Sequence, residues 1–209
     1  MFLKTVGFLA IPLLLLHAGS ALAFVDGEVL VGNRWYQLDT TPKENVTSQE
    51  IMAAAHIDPI PFVPVSFGAD VTLGTLKKGD LPYSGISQAK TFEAALDVMA
   101  WIPMVPVITP YVRVRLPVVG TWTEEFTAPD INGNSVKYEA TSKISGYDLH
   151  VGAKWSPIPL VRIMAEVGKG METLKPDEYK VAGTKTSIPD SKSQDLGSSL
   201  FMVGVEVGI

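Results

Sequence analysis

The chain contains no cysteine. That absence excludes a disulfide scaffold and a thiolate metal centre. It also removes the residue that a lipoprotein anchor needs at its cleavage point. Histidine is scarce, with three in 209 residues, and no two stand near each other in sequence. There is no phosphate loop, no metal-ligand cluster and no nucleophile constellation to read. Positive charge is short as well, with 17 Lys and Arg against 22 Asp and Glu, so nothing supports a nucleic-acid footprint. After the first two dozen residues no apolar run approaches the ~20 residues of a membrane-spanning helix.

What the chain does have is an apolar start and then alternation. Residues 1–23 have the form of a secretory signal. Lys4 is its short positive region, Phe8 to Leu16 is an apolar core broken by Pro12, and Ala-Leu-Ala at 21–23 is a small-x-small cleavage pattern. Cleavage between Ala23 and Phe24 would leave residues 24–209 as one domain, carrying 16 basic and 22 acidic residues.

Three proline clusters organise that domain: DPIPFVP at 58–64, IPMVP at 102–106 and SPIP at 156–159. Proline fixes φ and donates no backbone N–H, so it belongs between strands rather than inside them. Pro59, Pro61, Pro103, Pro106, Pro157 and Pro159 are therefore read as three tight turns. Polar stretches near 39–45, 77–89, 124–135 and 175–194 are read as long loops. Eight segments lie between them: 27–38, 46–57, 62–76, 90–101, 107–123, 136–155, 160–174 and 195–209. The pattern is strand, proline turn, strand, long loop, repeated as a meander.

Within the segments, apolar and charged residues alternate. Val112, Val114, Leu116 and Val118 oppose Tyr111, Arg113 and Arg115; Val161, Ile163, Ala165 and Val167 oppose Arg162, Met164 and Glu166. Successive side chains of a strand point to opposite faces, so each segment is a half-apolar strand. A soluble β-barrel or sandwich that binds a ligand would bury the apolar face. Three features favour the inverted arrangement, with lipid outside and charge within: the export signal, the alternation of short and long connections, and aromatic residues near strand ends. The interface aromatics are Trp35, Trp101, Trp122 and Trp155, with Tyr36, Tyr111 and Tyr138 near them. Segment 46–57 is the weak one, because TSQE at 47–50 has the form of a capping box and IMAAAH continues well as a helix. An even strand count, needed to bring both chain ends to the periplasmic side, favours a strand there. The fold expected is all-β, an eight-stranded antiparallel up-and-down transmembrane β-barrel.

On this architecture the chain resembles the small eight-stranded outer-membrane β-barrels of the OmpA transmembrane domain and OmpX type. The resemblance spans the whole exported domain and rests on the signal, eight alternating segments, short turns, long loops and a strand ending at the terminus. Members of that family usually end in an aromatic residue that the assembly machinery reads, whereas this chain ends FMVGVEVGI, with Phe201 on the outward face and Ile209 last. The resemblance implies an outer membrane of a Gram-negative-type bacterium, outer-membrane lipid and the barrel-assembly machinery as partners, and a monomer. No peptidoglycan-binding domain follows the strands, so a tethering role is not implied.

The inward faces carry Glu28, Arg34, Asp70, Glu93, Asp97, Arg113, Arg115, Asp148, His150, Lys154, Arg162, Glu166 and Glu206. Eight strands enclose a lumen just wide enough for side chains, so these charges must pair. Arg113 and Arg115 are expected to meet Glu93 and Asp97 on the preceding strand. The network is read as an ion-paired plug, with a narrow ion path as the alternative. A lipid-modifying hydrolase would need a His and a Ser on the lipid-facing surface, and His150 falls on the charged inner face. His56 lies near a turn and reads as structural or interfacial. DINGN at 130–134 lacks the spacing of a calcium loop, and Asn132-Gly133 reads as a turn. No catalysis and no cofactor are expected. The role expected is a scaffold presenting external loops, through which an extracellular partner is to be met.

Overall fold

The computed structural model describes residues 24–38, 44–59, 63–76, 86–102, 107–129, 133–187 and 192–208. Residues 1–23, read as an export signal, three of the prolines read as turns (Pro61, Pro103 and Pro106) and Ile209 lie outside the described residues.

Nine strands follow one another: β1 (Phe24–Leu38), β2 (Glu44–Asp58), β3 (Val65–Leu76), β4 (Ile86–Trp101), β5 (Ile108–Pro129), β6 (Ser135–Ile158), β7 (Val161–Val181), β8 (Thr184–Ser187) and β9 (Gln194–Gly208). Each of β1 to β7 pairs antiparallel with the next, β7 pairs with β9, and β9 returns to β1. The closing pair runs from Asp26 opposite Gly208 to Leu38 opposite Leu196. Eight strands thus form a closed ring, and β8 is a short addition paired with the far end of β7. The segment at 46–57 is a strand. Its alternation buries Val46, Ser48, Glu50, Met52, Ala54 and His56, and pairing along both sides overrides its helix-like start.

The ring is inside out relative to a water-soluble barrel. Val29, Val31, Ile51, Phe67, Leu73, Leu96, Val112, Val114, Leu149, Val151, Val167 and Val203 point outward and are exposed. Soluble monomers rarely expose contiguous apolar patches of more than a few hundred Å², and here apolar side chains circle the molecule. Gln49, Thr75, Lys90, Lys169 and Ser199 are outward polar residues that end the belt on one side. With no water to satisfy backbone groups in lipid, a spanning sheet must close, and this one does.

The proline-turn end is tight. Pro59 directly follows β2, and Pro159 and Leu160 make the two-residue turn between β6 and β7. Leu160 has φ +67, and proline followed by a left-handed residue is the pattern of a type II turn. Pro157, expected between strands, instead lies in the last residues of β6. There Trp155 opposes Ile163 and Ile158 opposes Val161, an irregular register with one extra residue on β6. A bulge leaves a residue unpaired, so a missing N–H is tolerated.

The other end is longer than expected. The stretches 124–135 and 175–194, read as loops, are largely strand. β5, β6 and β7 have 22, 24 and 21 residues, against 12 to 16 for β1 to β4. Their outer parts and β8 form a wing beyond the belt. On one face of the wing Phe126 stacks on Tyr138 at 5.2 Å between ring centroids, and Tyr138 on Tyr179 at 5.8 Å. The other face carries ion pairs: Lys137 with Glu125 at 2.7 Å, Lys143 with Asp177 at 2.9 Å, and Lys180 with Glu139. Glu178 stands between Lys185 and Lys180, and the hydrogen bond from Lys185 holds its carboxyl below the usual carboxylate range. Polar composition suggested loops; cross-strand stacking and charge pairing make a solvated sheet of the same residues.

The wing ends in the β7–β8 turn, where Ala182 and Gly183 have φ +48 and +86. Two positive φ values are those of a type I′ hairpin, which prefers Asn-Gly. Alanine in the left-handed region costs about 1 kcal/mol. Ala182→Asn is therefore expected to slow amide exchange across Thr184–Ser187 several-fold; unchanged or faster exchange would contradict the turn assignment.

Candidate functional site: a filled, ion-paired lumen

All thirteen charged residues assigned to the inner face point inward, and twelve of them are buried. Arg162 is the exception, at the proline-turn mouth with its side chain 36% exposed. The lumen is layered along the barrel axis.

The mouth layer joins Arg162 to Glu206 and, at 3.2 Å, to Asp26, while Lys154 meets Glu206 and lies 3.6 Å from Glu28. A cavity of about 280 Å³ opens here, lined by Asp26, Asp58, Ser66, Trp101, Thr109, Lys154 and Arg162.

The middle layer sets each histidine between carboxylates. His56 Nε2 is 2.7 Å from Asp97 and its Nδ1 is 3.3 Å from Glu28. His150 Nδ1 is 3.0 Å from Glu166, and its Nε2 is 3.9 Å from Asp148. Arg113 bonds Glu28 and lies 3.6 Å from Glu166, which also accepts the Tyr111 hydroxyl at 2.8 Å. Of the partners expected for Arg113 and Arg115, Asp97 is taken by His56 and pairs with neither arginine. Neighbouring strands fix which side chains are close, but a lumen this narrow also lets a long arginine cross to β1 and β7.

The outer layer draws one residue from every strand of the ring: Arg34, Glu50, Asp70, Glu93, Arg115, Asp148, Glu172 and Ser198. Arg115 grips Asp70 bidentately at 2.6 and 2.9 Å and donates to Asp148 at 2.5 Å; its distance to Glu93, the expected partner, is 3.5 Å. Arg34 donates to Glu50 at 3.1 Å, to both oxygens of Asp148 at 3.1 and 3.2 Å, and to Glu172 and Ser198 at 3.2 Å. Planar forks facing carboxylates are the strong form of such pairs. Arg34 and Asp148 are 114 residues apart in sequence.

Beyond the ring the lumen turns apolar. Tyr36, Leu38, Val46, Leu76, Ala89, Trp122, Ile144 and Leu196 pack together, with Phe126 and Leu174 against them. Trp122, expected at the membrane interface, sits here 2% exposed. The cause is a bulge. Ala94 opposes Val119 and Ala95 opposes Pro117, so Val118 is an extra residue, and Val118 and Val119 are both exposed. One extra residue reverses the facing of everything after it. Tyr36 and Tyr111 also point inward, and Trp101 packs partly buried at the mouth against Met99, Tyr111 and Met164. Trp35 and Trp155 point outward, 44% and 46% exposed.

Glu50, Glu172, Asp26 and His56 also belong to the lumen. Glu50 and His56 share the alternation of Ser48, Met52 and Ala54, and Glu172 continues the face of Arg162, Met164 and Glu166. Extending the alternation to both ends of those segments would have found them. His56 and His150 are both buried in the lumen and hydrogen-bonded to carboxylates.

No protein-family description and no curated protein matches the chain. Solved structures do. A major outer membrane protein from Thermus thermophilus matches with a TM-score of 0.55 at 15% identity, over 90% of this chain and all of that one. Neisserial surface protein A matches with a TM-score of 0.51 at 13% identity, over 88% of this chain and 96% of that one. At such identities the likeness is one of fold. With the closed ring and the inside-out polarity, it makes this chain an eight-stranded transmembrane β-barrel of the outer-membrane type.

Two substitutions probe the lumen. Arg113→Met takes from Glu28 and Glu166 the guanidinium they share, and removing one partner of a buried pair costs about 3–5 kcal/mol. Its unfolding temperature should fall far more than that of Arg162→Met at the half-exposed mouth; equal effects would contradict the layered network. Gly168 leaves room for His150, since a Cβ there would lie 2.5 Å from the imidazole ring and 3.1 Å from the Leu149 carbonyl oxygen. Gly168→Ala should therefore destabilise the barrel by about 1–3 kcal/mol, read from denaturant unfolding in micelles.

Proposed function

We propose that the protein is an outer-membrane scaffold that carries an ordered β-sheet platform outside the bilayer for an extracellular partner, without conducting solutes or catalysing a reaction. The strand lengths carry this reading. A tilted membrane-spanning strand needs about 9–11 residues, and β5, β6 and β7 have 21 to 24. The surplus is paired, stacked and charge-matched sheet on one side of the belt.

Export of the chain supports an orientation with both described termini and the proline turns on the periplasmic side and the wing outside. The filled lumen supports a barrel closed to solutes: Arg34, Arg113, Arg115, Tyr36, Tyr111 and Trp122 are all buried across it. The ring leaves no free edge in the membrane, which supports a monomer after assembly by the cell's barrel-inserting machinery. The carboxylate-bound, buried histidines support a protein without catalysis.

Trimming the wing is the test. A chain joining β5 to β6 just beyond Trp122 and Lys143, and shortening β7 and β8 to match, is expected to fold into vesicles and keep the gel-mobility difference between unboiled and boiled samples. Failure to fold would make the wing part of barrel closure and overturn the platform reading. Leu96→Arg, in the middle of the belt, is expected to cost about 2–4 kcal/mol in lipid; no effect would contradict membrane insertion. Large single-channel steps in a planar bilayer would overturn the closed lumen.

A further inference from the structure

The proline-turn mouth holds a cup that the ion pairs do not fill. Its cavity of about 280 Å³ is lined by one residue from each of β1 to β7. The middle layer closes it below, where Glu28, His56 and Arg113 are 2% exposed or less. Two of the charged side chains in its wall are occupied. Lys154 meets Glu206 and lies 3.6 Å from Glu28, and Asp26 accepts Arg162 at 3.2 Å. The other two have groups left over. Arg162 puts a single nitrogen, Nη1, on both Asp26 and Glu206, and its Nε–Nη2 edge has no hydrogen-bond partner among the described residues. Asp58 has no ion pair among them, and its Oδ1 is buried without a hydrogen bond. The rest of the wall is a partly buried indole, Trp101, and two hydroxyls, Ser66 and Thr109.

The cup thus presents a free guanidinium edge and a free carboxylate on different walls. Arg162 is on β7 and Asp58 on β2, with β9 and β1 between them, about 14 Å round the wall at the usual strand spacing. A guanidinium edge takes a carboxylate through two parallel N–H···O bonds, and a carboxylate takes an ammonium. A ligand of one charge would satisfy one of these groups and leave the other desolvated and unpaired, which is costly. A ligand that carries both charges satisfies the two together. We propose that the cup binds a small zwitterion of the α-amino-acid class. Its carboxylate lies on the Nε–Nη2 edge of Arg162, its ammonium on Asp58 and its side chain against Trp101. The Ser66 and Thr109 hydroxyls complete the hydrogen bonding. An apolar wall with a few convergent polar groups is the usual make-up of a small-molecule site. Because the cup is closed below, it holds the ligand and does not pass it on.

The test folds the full exported chain into neutral detergent micelles and uses three probes of one shape: L-alanine, ethylamine, which lacks its carboxylate, and propionate, which lacks its ammonium. Equilibrium dialysis is expected to show one saturable L-alanine per barrel, with ethylamine and propionate each bound at least tenfold more weakly. Asp58→Asn and Arg162→Lys should each weaken L-alanine binding at least fivefold. The latter keeps a cation beside Glu206 and removes the planar fork. Lys169→Ala, on the outer face, should bind as the wild-type chain does. No saturable binding of L-alanine to the wild-type chain would overturn the proposal. So would equal binding of L-alanine and either single-charge probe, which would mark a general effect of mouth charge. Unchanged binding in both Asp58→Asn and Arg162→Lys, or equal loss in Lys169→Ala, would overturn it as well. The probe comparison on the wild-type chain decides alone where a variant does not fold.

Discussion

The structure depends on the antiparallel pairing of β1 with β9. Until that seam closes, the sheet has two edges whose N–H and C=O groups find no water in a bilayer, and the lumen has no walls. Closure does two things at once. It satisfies the backbone all round the ring, and it brings Arg34 on β1 against Asp148 on β6 and Glu172 on β7. The charges and the ring are therefore mutually dependent: the charges are tolerable in the interior because they pair, and they pair because the ring is closed.

The same closure divides the molecule into three environments along one axis. The belt faces lipid with Val, Leu, Ile and Phe. The lumen inside it is ionic near the proline turns and apolar toward the wing, where Trp122 and Tyr36 meet edge to face at 5.1 Å. The wing continues the sheet into water, its stacked rings on one face and its Lys–Glu pairs on the other. Stability is concentrated in the first two environments, and the proposed platform lies in the third. A rigid barrel below a solvated sheet is a sound physical basis for recognition, because the sheet is ordered before any partner arrives.

Much of this was legible in the residues. Alternation counted eight strands and put Arg113, Arg115, Asp148, His150 and Glu166 on the inner face, since period two is a local property of the backbone. The SPIP cluster located the tight turn at Pro159–Leu160. What local pattern could not carry is of three kinds. One is phase after an irregularity: Val118 as an extra residue turned Trp122 from the outside to the inside, and nothing in PVVGTWT announces which residue is extra. Another is partnership across the lumen. Adjacency sets Arg113 and Arg115 against Glu93 and Asp97 on the preceding strand, but Arg113 crosses to Glu28 and Glu166, because in a tube of this bore the opposite wall is as near as the neighbouring strand. The wing was missed for a third reason: its polar residues look like loop until Phe126, Tyr138 and Tyr179 are seen stacked.

Inside-out polarity with one reversal of phase is the central claim, and the absence of cysteine makes it directly measurable. Single cysteines placed one at a time from Val112 to Trp122 and spin-labelled in lipid vesicles would report collision with oxygen, which concentrates in the bilayer. The account predicts maxima at 112, 114, 116 and 118, a second maximum at the adjacent residue 119, and a minimum at 122. Unbroken alternation through 122, or greater access at 113 and 115 than at 112 and 114, would contradict it.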